Sequence, residues 1–76
     1  MEHGPQPLNP ILTALNLKNS DLVAASTEQL THKMVSKGRK GRELTLNVQN
    51  KILRALNLAQ SKKEYQLSDL FNYQGR

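Results

Sequence analysis

Apolar residues recur along this chain at helical rather than strand spacing. The clearest run is "LNVQNKILRALNLA", where Val48, Ile52, Leu53 and Leu56 fall at i, i+4, i+5 and i+8. Thr45, just before it, suits a helix N-cap. Upstream, Asn9 offers a cap and Pro10 a first-turn proline, and Ile11, Leu12 and Leu15 follow at helical spacing, so a short helix is predicted over 10–16. "LKNSDLVAAS" predicts a second helix capped by Asn19 or Ser20, with Asp21 near its positive end and Leu22 and Val23 turned inward. "STEQLTHKMVSKG" predicts a third over 27–37. Ser26 with Gln29 matches a capping box, and Gly38 is placed to stop the helix in a left-handed conformation. "LSDLFNY" closes the chain with Leu67, Leu70 and Phe71 at i, i+3 and i+4, the mark of a short docking helix. No useful stretch alternates with a period of two, and there is no internal repeat. The expected fold is all-α: a compact five-helix domain over 9–59 and beyond, preceded by a flexible arm at 1–8 that holds Gly4, Pro5 and Pro7, and followed at 60–76 by the linker "QSKKEYQ" and the docking helix.

Composition narrows the function classes. A chain of 76 residues makes one domain with a thin core. It has no Cys, so neither a disulfide framework nor a thiolate zinc site is available. His3 and His32 stand far apart without a surrounding ligand pattern, so no metal is expected. "GRKG" lacks the spacing of a phosphate-cradling P-loop, and no nucleophile has an evident activating base. The expectation is therefore no enzyme, no cofactor and no small-molecule substrate. Apolar runs are too short to span a membrane, and the N-terminus lacks a signal-peptide pattern, which points to a cytoplasmic chain, nucleoid-associated if bacterial.

Charge sharpens the picture. The net charge is +5 and the pI about 9.9. Lys33, Lys37, Arg39, Lys40 and Arg42 cluster in "THKMVSKGRKGRELT" with no acidic residue among them. On a third helix over 27–37, Leu30, Thr31, Met34 and Val35 take one side, while Gln29, His32, Lys33 and Ser36 form a stripe on the other. Gln can bond both edge atoms of adenine, and Lys can reach guanine O6 or N7. A basic loop at 37–42 would then clamp flanking phosphates. A solvated helix face next to a solvated loop is the plain alternative. A membrane-surface helix is disfavoured because Trp is absent and Phe71 lies far from the cluster. Single-strand RNA readers stack bases on aromatics, and Tyr65, Phe71 and Tyr73 all lie away from the basic run. An RNA-binding protein or a protein-interaction module with a nonspecific basic face is the runner-up to double-stranded DNA as partner.

Residues 17–58 resemble a helix-turn-helix domain of the lambda-repressor and Cro (XRE) type. "LKNSDLVAAS" is similar to its second helix, "LTHKMVSKGRKG" to its recognition helix and basic exit, and "LTLNVQNKILRALNL" to the helix that follows. The resemblance implies a transcription regulator whose third helix reads the major groove. By position it assigns base reading to Gln29, Thr31, His32, Lys33 and Ser36. Phosphate contacts fall to Arg39, Lys40 and Arg42 with Lys37, and to Asn19 and Ser20 at the start of the second helix. Homodimers are frequent in that family. The family's tight Gly-containing turn is replaced here by "ASTEQ", which is longer and lacks Gly.

Overall fold

The structure, a computed structural model, describes residues 3–75 of the 76-residue chain. Among them are five helices and no strand: α1 (Leu8–Ala14), α2 (Asn19–Ala25), α3 (His32–Lys40), α4 (Leu46–Ala59) and α5 (Leu67–Leu70). α4 is the longest and packs chiefly against α2, while α3 bridges α1, α2 and α4. The fully buried Leu8, Leu12, Leu22, Val35, Ile52 and Leu56 meet at that crossing.

α1 starts earlier than expected. Pro7 takes the cap position, and Pro10 still falls in the first turn, where its missing N–H has no intrahelical partner to lose. Asn9 is thus inside the helix and does not cap it. The helix stops because Asn16 adopts a left-handed conformation at φ 58°, one that Asn tolerates better than most side chains. In α2 the cap is Lys18, not Asn19 or Ser20. The Lys18 backbone N–H donates to the Asp21 carboxylate at 2.7 Å, so the acidic residue supplies the capping oxygen from within the first turn.

The largest correction concerns α3. It does not run over 27–37 but over His32–Lys40. Ser26 folds into a local turn, its hydroxyl accepting from the Glu28 N–H at 3.1 Å and donating to the Glu28 carbonyl at 3.2 Å. Glu28 grips Arg54 of α4 through two bonds of 2.7 and 2.6 Å, and Leu30 is buried, so residues 26–31 form a loop drawn onto α4. Thr31 is the true cap, accepting from the Met34 N–H at 3.2 Å. Gly38 does not end the helix. It lies buried within it, and a Cβ there would stand 3.2 Å from methyl groups of both Ile52 and Leu44. The stop is Gly41, at φ 90°, where a side chain would also collide with the Gly4 carbonyl.

The expected arm at 1–8 also differs. Met1 and Glu2 lie outside the described residues, but residues 3–8 are fastened down. The His3 N–H donates to Gly41 O at 2.7 Å, and the His3 ring stacks on Tyr73 at 3.9 Å. Gln6 is buried and its Oε1 accepts from the Asn72 N–H at 2.8 Å. Tyr73 Oη in turn accepts from the Leu44 N–H at 2.9 Å. Residues 3–6 and 72–73 therefore close together over the turn that follows α3. Within 60–76, whose last residue Arg76 is outside the described residues, the linker is pinned by Asn57, which exchanges hydrogen bonds with the Tyr65 backbone at 2.8 and 3.1 Å. Leu70 and Phe71 are buried in the core of this same chain, and α5 packs against α4 and α1.

Candidate nucleic-acid interface

The later start and later end of α3 change which side chains share its exposed side. At roughly 100° per residue, Arg39, His32, Ser36, Lys40, Lys33 and Lys37 follow one another round one side of α3, and Met34, Gly38 and Val35 take the other. The burial pattern agrees: Val35 and Gly38 are buried, Met34 is half-buried, and His32, Lys33 and Lys40 are exposed. Lys37, Arg39 and Lys40 are thus helical, in the last turn, where positive charge also complements the negative end of the helix. The expected basic loop at 37–42 reduces to Gly41 and Arg42.

Three open clefts mark this side. One of about 220 Å³ is lined by Lys33, Ser36, Lys37, Lys40 and Arg42. A second, of about 440 Å³, brings Lys18, Asn19 and Ser20 of the α2 start together with His32 and Arg39. The third, about 460 Å³, joins Pro5, Asn9 and Asn19 to Ser36, Arg39 and Lys40. Residues from three helices therefore converge beside the exposed face of α3.

The proposed base readers divide. His32, Lys33 and Ser36 share the open side of α3, with Ser36 half-buried. Gln29 and Thr31 do not belong to that helix. Gln29 sits in the loop, its carbonyl accepting from Lys51 Nζ at 3.5 Å, and the Thr31 hydroxyl is occupied by capping. Of the phosphate candidates, Asn19, Ser20, Arg39 and Lys40 gather round the two larger clefts, and Lys37 and Arg42 round the smallest. Sequence reasoning missed Asn9 and Lys18 as members of this surface. Lys18 was legible as one more cation beside the α2 start. Asn9 was not, because its approach to Arg39 spans 30 positions.

No acidic residue interrupts 29–42. Glu43, just beyond, lies 3.3 Å from the His3 ring. Glu28, just before, is held by Arg54, and the hydrogen bonds from that guanidinium push its carboxyl below the ordinary value of 4.5. Both flanking carboxylates thus face partners of their own. Among the described residues, no group of three or more His, Asp or Glu could hold a metal ion, and no helix is long and apolar enough to cross a membrane. No family model, curated protein or solved structure matches the chain.

Proposed function

We propose that this chain is a small protein that binds double-stranded DNA and regulates transcription, with a lambda-repressor-like arrangement in which α2 and α3 form the helix-turn-helix pair. The observation that carries the reading is the exposed side of α3, on which His32, Lys33, Ser36, Lys37 and Lys40 meet no acidic neighbour on the helix, while Val35 and Gly38 anchor the opposite side in the core. Nine residues at about 1.5 Å each give α3 a length of about 14 Å. A major groove about 12 Å wide admits such a helix. His32 and Lys33, in its first turn, then approach base edges, with Ser36 one turn further. Lys37, Lys40 and Arg42 follow the groove wall and neutralise phosphates, and Asn19 and Ser20 face the backbone beside the α2 start.

The corrected boundary of α3 supports this reading better than the expected one. A helix over 27–37 would have ended before Arg39 and Lys40. The helix over His32–Lys40 places both on the same rigid element as Lys33. Gln29 and Thr31 leave the set of base readers.

An NMR titration of the full chain with a mixed-sequence DNA duplex tests the proposal. Amides of His32–Lys40 and of Arg42 should shift together and saturably, with Ser61–Glu64 unmoved. Shifts spread evenly over every lysine, or a preference for single-stranded RNA over the duplex, would remove the DNA-groove reading.

A further inference from the structure

We propose that Arg39 forms a preorganised seat for one tetrahedral oxyanion of the phosphate class at the junction of α1, α2 and α3. The seat's natural occupant, a backbone phosphodiester, rests on the DNA reading above. The seat itself rests on the geometry of one side chain.

Arg39 Nε donates to Asn9 Oδ1 at 2.7 Å, and Nη1 donates to Asn19 Oδ1 at 2.9 Å. Asn9 belongs to α1, Asn19 to α2 and Arg39 to α3. Three helices thus hold one guanidinium, and the rotamer freedom a surface arginine loses on binding is already gone. Two neutral amides satisfy two donors but leave the charge uncompensated. Among the described residues no carboxylate pairs with Arg39, and its remaining N–H groups have no partner. Arg54 is the contrast: it also makes two short bonds, but to the carboxylate of Glu28.

A tie between two amide oxygens needs only neutral donors. Holding a charged group half-buried for that purpose costs desolvation without return. The charge has a use if an anion arrives. Arg39 lines both of the larger clefts, so the guanidinium stands between two solvent-open spaces. Lys18 and Ser20 flank it on one side, Ser36 and Lys40 on the other. A planar guanidinium with free donors is matched to an oxyanion that accepts two parallel bonds. On DNA, such a fixed contact sets how α3 lies in the groove, which makes Arg39 a positioning residue rather than a base reader.

The test uses the full chain, labelled with 15N, and inorganic phosphate at constant ionic strength. The Arg39 Nε–H signal should shift saturably, with an affinity in the millimolar range. Asn19→Asp keeps the acceptor oxygen and adds the missing carboxylate, so it should retain the fold and abolish the saturable shift. Ser61→Asp, the same charge change placed in the 60–66 linker, should leave the shift intact. With a DNA duplex in place of phosphate, Asn19→Asp should weaken binding by about tenfold or more relative to Ser61→Asp. An Arg39 signal that ignores phosphate, or a shift that survives Asn19→Asp, overturns the seat and leaves Arg39 a structural tie. Duplex binding without any phosphate response at Arg39 removes the seat and keeps the DNA reading. Saturable phosphate binding without duplex binding keeps the seat and removes the DNA reading.

Discussion

Replacing Gly38 separates two accounts of where the recognition helix ends. If Gly38 terminated the helix in a left-handed conformation, Asn would be tolerated there better than Ala, because Asn is the side chain that most readily follows Gly into that region. The structure places Gly38 in mid-helix, where a Cβ would stand 3.2 Å from Ile52 and Leu44 methyl groups and 3.4 Å from a Leu8 methyl. The order then inverts. Ala regains about 1 kcal/mol of helix propensity, offset by those tight contacts, and should stay within about 1 kcal/mol of the parent. Asn adds an amide to an apolar crossing of α1, α3 and α4. Overpacking costs about 1–3 kcal/mol, the unpartnered buried amide about 1–3 kcal/mol more, and the propensity gain over Gly is a few tenths. Gly38→Asn should therefore lose about 2–6 kcal/mol. A domain of 76 residues has about 4–11 kcal/mol to lose, so this variant is marginal or unfolded. Urea denaturation followed by far-UV circular dichroism reads both variants against the parent. Gly38→Asn as stable as Gly38→Ala, or more so, would refute the placement of Gly38 and with it the helical placement of Arg39 and Lys40.

Four cations assigned to phosphates, Lys37, Arg39, Lys40 and Arg42, should give a log–log salt slope of about −3.6. Lys37→Ala with Lys40→Ala should bring that slope to about −1.8, whereas Lys62→Ala with Lys63→Ala should leave it unchanged; equal effects of the two pairs would disconnect α3 from the backbone contacts. Lys33→Ala should alter base preference by about 1–3 kcal/mol at one base pair in a competition assay, and Gln29→Ala should not; a specificity change from Gln29→Ala would return the loop to the interface. The Glu28–Arg54 bond lowers the Glu28 pKa, so its contribution to stability is present above the ordinary value of 4.5 and is lost as pH falls through the lower, folded value. The stability gap between the parent and Glu28→Gln should accordingly hold flat at neutral pH and close below about pH 4.5, more weakly at high salt; a gap that persists under strong acid would assign it to packing.

Helical content and order were legible because the relevant signals are local and periodic. α4 declares itself through Ile52 and Leu56, both buried, and Thr45 caps it as its position suggests, accepting from the Val48 N–H at 3.3 Å. α3 departs from expectation because its local signals compete. Ser26 with Gln29 has the form of a capping box, and Gly38 has the form of a stop. What separates Thr31 from Ser26 is chiefly the burial of Leu30, with Glu28 bonded to Arg54, 26 positions away, adding a weaker tie. What admits a glycine in mid-helix is the close approach of Ile52 and Leu44, and no window around Gly38 contains Ile52. Tertiary contact overrode propensity at both ends of the same helix.

The candidate site divides along the same line. Its cations can be counted from the sequence, since charge is a property of residue type. Its geometry cannot, because it depends on how Asn9 and Asn19 use their side chains. Both have the composition and position of N-caps. Pro7 and Lys18 take those positions instead, and the Lys18 N–H finds its acceptor in Asp21. The two amides are thereby released from backbone duty, and both oxygens turn to one guanidinium on a third helix. A capping Asn would have fixed only its own helix. These two couple α1 and α2 to α3 through Arg39, so the orientation of the exposed face of α3 depends on residues outside the α2–α3 pair. Breaking that coupling at Asn9, which belongs to neither α2 nor α3, should loosen α3 without removing any charge from it. Asn9→Ala should therefore weaken duplex binding while leaving the salt slope near its parental value, because the cations remain and only their preorganisation is lost.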